Sequence, residues 1–234
     1  LVLLEDDFSS IVAAVRLGRR IYDNLRKAMA YIFSIHVPIA GLSLIPVALG
    51  WPLLLLPIHI VLMELIIDPA CSTVFEAEPE ERNVMHRPPR SPRESIFNRT
   101  TMVASLVQGV CVLLVSLGIF MLARQMAVGE ATARTMSFLT LIVANLTLIL
   151  TNVSWTRSLL ATLHSPNRAM WWVVGGATVL LLALVNIPAL AHMFQFAHLT
   201  VMQMGLCLVA GIGSVIWFEI VKIGQSRQQT LMVK

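Results

Sequence analysis

The chain has 234 residues, of which 57% are hydrophobic and 13% charged, and a mean hydropathy of +0.78. That composition excludes an ordinary soluble domain and places the chain among polytopic membrane proteins. The net charge of +4 comes from basic residues that flank apolar runs, so it reflects membrane topology and not a nucleic-acid surface.

The sequence starts at Leu1, not at a methionine, and charges crowd the far side of its first short apolar run. A signal peptide has the opposite order, so the chain reads as the tail of something longer. Residues 1–4 form a short buried-strand candidate, and Asp7 is placed to cap a helix. The apolar positions of that helix are Ile11, Val12, Val15, Ile21, Tyr22 and Leu25, while Arg16, Arg19, Arg20, Arg26 and Lys27 occupy its other face. Such a helix either lies on lipid headgroups or runs as a stalk into the membrane. The lack of any Gly or Pro break between Arg19 and Val37 favours the stalk.

A first span is expected over 28–50, with Pro38 freeing the carbonyl of Ser34 and kinking the helix beside His36. His36 is either a ligand or a hydrogen-bonded packing histidine. Gly50-Trp51-Pro52 reads as a tight turn that returns the chain at once into a second span, 53–75. His59, near its start, is expected at an interface or in packing.

That second span carries the chemistry. Glu64 and Asp68 lie in the middle of a run long enough to cross a bilayer. A carboxylate at such depth costs about 2.5–3.5 kcal/mol on insertion scales and is a functional-site candidate. Spacing of i and i+4 puts both on one helix face. Pro69 follows and frees the carbonyl of Leu65. Two carboxylates beside a free carbonyl suit a hard cation. The competing reading is a pair of protonated or salt-bridged carboxyls inside a bundle.

Residues 76–99, rich in proline, acids and arginines, form an extended polar loop, either a solvated linker or a docking strip for another domain. Four more spans are expected, over 101–123, 135–155, 169–190 and 199–221. In these, Gly109 and Gly118 suit close packing, Asn145 and Asn152 suit interhelical hydrogen bonds or a polar cavity, and Glu219 suits an interfacial pair with Lys222. Cys71, Cys111 and Cys207 stand singly, which excludes zinc and disulfide frameworks and leaves buried thiols. With six spans both ends lie on one side, and that side holds 15 of the 17 Lys and Arg residues, all but Arg124 and Arg134. This is a strong positive-inside pattern, with both ends cytoplasmic and a plasma membrane of bacterial type the plausible location.

Three stretches together resemble the C-terminal part of P-type cation-transporting ATPases of the calcium-pump-like class. They are D-D-F-S-S-I-V-A-A-V-R-L-G-R-R-I-Y-D-N-L-R-K at 6–27, P-I-H-I-V-L-M-E-L-I-I-D-P-A at 57–70, and M-H-R-P-P-R-S-P-R-E at 85–94. The resemblance implies an all-α, six-helix transmembrane bundle equivalent to helices five to ten of such a pump. It divides the chain into the end of the phosphorylation domain and stalk (1–27), a first helix pair with the ion site (28–75), a cytoplasmic loop (76–100), a four-helix part (101–224) and a cytoplasmic tail (225–234). Asp68 matches the family's cation-binding aspartate, Glu64 stands where calcium pumps have an asparagine ligand, and Ile67 replaces a threonine ligand. His36 stands at an asparagine ligand position and Ile39 at that of a glutamate. The metal site implied is thus Asp68, Glu64 and His36, and the ion is open between Ca2+, a smaller divalent ion, a monovalent ion and a proton.

No D-K-T-G phosphorylation motif and no nucleotide-binding region occur in the sequence, so no residue here is assigned to catalysis and the piece alone should not hydrolyse ATP. ATP and Mg2+ enter only through the cytoplasmic domains of the missing N-terminal half of the same pump, which with the lipid bilayer is the expected partner. The alternative is a non-catalytic scaffold or passive cation pathway.

Overall fold

The computed structural model describes residues 8–81, 83–89, 96, 98–155 and 157–232, with the backbone only for 160 and 221–232. The expected strand at 1–4, the cap at Asp7, and Arg82, Arg90 and Arg93 lie outside the described residues. The elements are α1 (Phe8–Ala48), α2 (Pro57–Pro69), a π-helical segment (Ala70–Val74), α3 (Phe75–Ala77), α4 (Arg99–Gln125) and α5 (Glu130–Asn152). They are followed by α6 (Leu159–Leu163), α7 (Arg168–Asn186), α8 (Pro188–Met193) and α9 (Val201–Met232). The described residues contain helices and no strands, and six of the helical stretches are long and apolar enough to cross a membrane. The all-α, six-span expectation therefore holds.

Stalk and first span are one helix. At about 1.5 Å per residue α1 is about 60 Å long, twice the hydrocarbon thickness of a bilayer. Its first turns are largely exposed, and burial starts at Asp23 and Asn24. The helix runs on through Pro38 and Pro46. The Ser34 carbonyl that Pro38 frees faces α4, at Gly109. A Cβ on Gly109 would meet that oxygen at 2.5 Å and Val37 Cβ at 2.7 Å. Gly118, expected to serve the same purpose, faces open space. The two glycines should therefore respond oppositely to alanine. Gly109→Ala is expected to cost about 1–3 kcal/mol by overpacking against backbone. Gly118→Ala should be neutral or stabilise by up to about 1 kcal/mol. Thermal unfolding of the detergent-solubilised complete polypeptide distinguishes them.

Gly50, with φ +65°, turns the chain after α1, but the second helix starts only at Pro57, later than expected. Proline is favoured at this first helical position because its missing N–H has no helical partner to lose. At the other end, Pro69 cannot donate to Leu65. The helix absorbs the defect by widening: the Ala70 N–H is shared between the carbonyls of Ile66 and Ile67, and the Phe75 N–H reaches back to Ala70. The π-helical segment is the result.

Helix α5 is the centre of the bundle. Met136, Leu141, Ala144, Leu148 and Ile149 on it are wholly buried, and it packs against α9, α4 and α1. The seventh helix ends at Asn186 because Pro188 breaks the expected 169–190 span, and α8 follows as a separate turn. Trp171 and Trp172 are exposed at the start of α7, next to Arg168, as suits a membrane interface. Of the cysteines Cys207 alone is buried; Cys71 and Cys111 are partly exposed, with Cys71 packed against the core.

Arg124 and Arg134, the two basic residues expected apart from the rest, sit at one end of the bundle. The Arg124 guanidinium lies over the rings of Trp51 and Phe120. Arg134 donates to the Leu53 carbonyl (3.0 Å) and Gln195 Oε1 (3.2 Å) and pairs with Glu130 (2.8 Å). His59 is here a packing residue, buried among Phe138, Phe194 and Phe196. Its Nδ1 accepts from the Leu56 N–H, so Nε2 carries the proton donated to the Phe194 carbonyl at 2.8 Å.

Candidate ion-binding site

Helix α2 buries Met63, Ile66 and Ile67 against the core and turns Glu64 and Asp68 the other way. Its outward face is otherwise apolar, with Val61 and Leu65 exposed on either side of Glu64. From α1, His36 reaches the same face. His36 Nε2 is 3.8 Å from Glu64 Oε1, and the two side chains are 49% and 40% exposed. His36 Nδ1 lies 2.9 Å from the Ile32 carbonyl, one turn back. A carbonyl only accepts, so Nδ1 bears a hydrogen, and Nε2 is the ring atom turned toward Glu64.

Asp68, one turn along, is exposed and stays outside this pair. Among the described residues no group of three His, Cys, Asp or Glu side chains converges closely enough to hold a metal ion. Ile39 and Ile67, at two positions where the resemblance implies ligands, are buried core residues and offer nothing to an ion. Just beyond Asp68, the Ser72 hydroxyl donates to the Asp68 carbonyl (2.8 Å) and the Thr73 hydroxyl to that of Pro69.

Asn145 and Asn152 serve interhelical bonding. The Tyr31 hydroxyl donates to Asn145 Oδ1 (2.7 Å), tying α1 to α5. Gln108 Oε1 on α4 accepts from the Ser34 hydroxyl (3.0 Å) and from Asn152 Nδ2 (3.5 Å). Glu219 is buried and accepts from the Leu159 N–H (3.0 Å) at the start of α6. Lys222, its expected partner, is outside the described side chains.

The loop after α3 departs most from expectation. It folds back on the stalk, and two of its acids are buried. Lys27 Nζ is 2.7 Å from Glu81 Oε1, with the side chains 0% and 3% exposed. Glu81 also accepts from the Ser154 hydroxyl (3.0 and 3.1 Å) and the Trp155 N–H (3.2 Å). Glu78 pairs with Arg157 and accepts from Asn167 Nδ2 at 2.7 Å. The backbone carbonyl of Glu78 takes hydrogen bonds from Asn24 Nδ2 (2.8 Å) and Arg20 Nε (2.9 Å). Further out, Arg87 pairs with Asp23, Arg19 donates to the carbonyls of Val84 (2.8 Å) and Arg87 (2.7 Å), and Arg16 pairs with Glu80 at 2.8 Å. Sequence reasoning missed this clamp. Its signal was there: the run Glu76, Glu78, Glu80, Glu81 complements the basic face Arg16 to Lys27.

Burial pushes the Glu78 carboxyl above its ordinary value, against the opposing pull of Asn167, Arg157 and Lys27. A carboxyl whose folded value is raised stabilises most below the unfolded value, and that contribution is lost as pH rises through the folded one. Glu78→Gln should therefore flatten the fall in stability that begins near pH 4.5, the group's ordinary value. Unfolding midpoints of the complete polypeptide measured across that range show whether the slope goes.

A family model described as cation transporting ATPase, C-terminus, matches residues 52–224. The chain belongs to that family. Relatives in it include calcium-transporting ATPase 1 of Bacillus cereus, 28% identical over 96% of this chain and 27% of that protein. Calcium-transporting ATPase type 2C member 1 of Homo sapiens is 26% identical over 98% of this chain and 25% of its own length. The chain thus spans about a quarter of the length of these relatives. Six apolar helices and membership of this family make it an integral, multi-pass membrane protein, the C-terminal membrane region of a P-type cation ATPase.

Proposed function

We propose that the chain is the cation-translocating membrane part of an ATP-driven pump, in which Glu64 and Asp68, with His36 adjoining, bind the transported ion between the first two spans. The observation that carries this reading is the outward face of α2. Two mid-span carboxylates one turn apart, a third polar group from α1 that faces Glu64, and a π-helical widening that begins at Ala70 lie on two apolar helices. Lipid is a poor neighbour for ionised groups at that depth. We therefore place further helices of the same pump, from the N-terminal side, against this face. Both named relatives are calcium-transporting, which makes a divalent cation the transported species.

In the same reading residues 1–27 pass from the phosphorylation domain into the stalk, 28–75 hold the ion site, 76–100 form a cytoplasmic loop, 101–224 supply the remaining helices and 225–234 the tail. ATP and Mg2+ act in domains outside these residues, so this part alone does not hydrolyse ATP. Both ends lie in the cytoplasm, the membrane is the plasma membrane, and ions leave the cytoplasm.

The test is phosphorylation of the complete polypeptide in membrane vesicles. A hydroxylamine-sensitive phosphoenzyme that forms from ATP only when a divalent cation is added is the expected result. A phosphoenzyme indifferent to cations, or none at all, overturns the reading and leaves a scaffold or passive pathway.

A further inference from the structure

We infer that the site selects a first-row transition-metal ion, of the Mn2+, Fe2+ or Zn2+ class, over Ca2+, with His36 Nε2 as the residue that decides it. This rests on the ion-site reading above and deepens it. The first argument is the state of the imidazole. Histidines that ligate metals almost always donate their other ring N–H to a carbonyl or carboxylate, which fixes the ring and leaves the ligating nitrogen bare. His36 already has that arrangement, with Nδ1–H on the Ile32 carbonyl at 2.9 Å and Nε2 turned toward Glu64.

The second argument is distance. Two ligands at about 2.1 Å from one ion, 90–110° apart, are roughly 3.0–3.4 Å from each other. The Nε2 to Oε1 gap of 3.8 Å needs only a small closure to reach that edge, and an ion between the two groups supplies the attraction for it.

The third argument is the type of ligand that these two helices supply. Ca2+ takes oxygen ligands. Ile39 and Ile67 are buried hydrocarbon and supply none. What the two helices offer is two carboxylates, the Leu65 carbonyl left by Pro69, and one imidazole nitrogen. Imidazole is a ligand for Zn, Fe, Ni and Cu, while Ca2+ is served by carboxylate, carbonyl and water. The nitrogen thus adds affinity for the transition ions and almost none for Ca2+.

The experiment measures phosphoenzyme formation by the complete polypeptide in vesicles at chelator-buffered free Ca2+, Mn2+, Co2+ and Zn2+. The expected result is half-saturation by Mn2+ and Zn2+ at about tenfold or more lower free concentration than Ca2+. His36→Ala should raise the transition-ion values by about 10–100-fold, the scale seen when a metal site loses a supporting group, and shift Ca2+ by less than about threefold. Pulsed EPR of Mn2+ bound to the wild-type protein should show imidazole nitrogen coupling, absent in His36→Gln, and this readout stands even if the alanine variant fails to fold. Ca2+ saturating at the lowest concentration, or Mn2+ without nitrogen coupling, overturns the inference. Asp68→Asn separates the two levels. If it leaves every ion's stimulation unchanged, the site itself is misplaced. If it abolishes stimulation while His36→Ala leaves the ion order intact, the site stands and this inference alone falls.

Discussion

Asp68→Asn is expected to weaken cation stimulation of phosphorylation in the complete polypeptide by about 100-fold or more, the upper end of what loss of even an outer-shell partner costs a metal site. Asparagine keeps the size and one oxygen of aspartate but removes the charge. The helix therefore survives and the change is electrostatic. Asp68 is exposed on α2 and pairs with no basic side chain among the described residues, so its loss should leave the unfolding temperature unchanged. Glu64→Gln should act in the same direction but less, because His36 already stands 3.8 Å from that carboxylate and a neutral amide still offers the ion an oxygen. Phosphorylation assays at buffered free cation, run beside thermal unfolding, check both. Normal stimulation in Asp68→Asn at unchanged stability would remove Asp68 from the ion path.

The spans were legible because the property that selects them is one-dimensional. A bilayer demands about 20 apolar residues in a row, and hydropathy along the chain records that directly. Glu64 and Asp68 were legible for the converse reason: charge inside such a run is rare and conspicuous. Helix ends shifted where prolines decided them, at Pro57 and Pro188, since an apolar run does not reveal which of its residues stay out of the helix. The fates of Glu78 and Glu81 were not legible. A polar loop has the same composition whether it is solvated or folded onto its own stalk, and the partners Lys27, Arg157 and Asn167 stand 54 to 89 residues away in sequence. Gly109 and Gly118 looked alike for the same reason, because only the path of α1 brings the Ser34 carbonyl to one of them.

Glu81→Ala should be the most damaging substitution to stability outside the apolar core. It takes the ion-pair partner from the Lys27 ammonium, 0% exposed, whose hydrogen bond to Asn24 Oδ1 is long at 3.5 Å, and it strips acceptors from the Ser154 hydroxyl and the Trp155 N–H. Removing one partner of a buried pair costs about 3–5 kcal/mol, which is roughly 100- to 5,000-fold in the folding equilibrium. Lys27→Met alone should cost less, because Glu81 keeps two neutral donors. The double variant Lys27→Met/Glu81→Gln should recover most of the loss: glutamine still accepts from Ser154 and Trp155, and neither member of the pair is left charged without the other. Unfolding of the four proteins in one detergent gives the coupling, and a double variant as unstable as Glu81→Ala would show that burial of the ion pair is not what matters. The pair also sets the ion site's geometry. Lys27 lies about two and a half turns before His36 on the same unbroken helix, and Glu81 closes the loop that leaves the helix of Asp68. The clamp therefore fixes how far α1 can slide or rotate against α2, and with it the gap between His36 and Glu64. The double variant, folded but without the charge pair, should accordingly phosphorylate with altered cation affinity, whereas a clamp that only holds the loop in place would leave that affinity untouched.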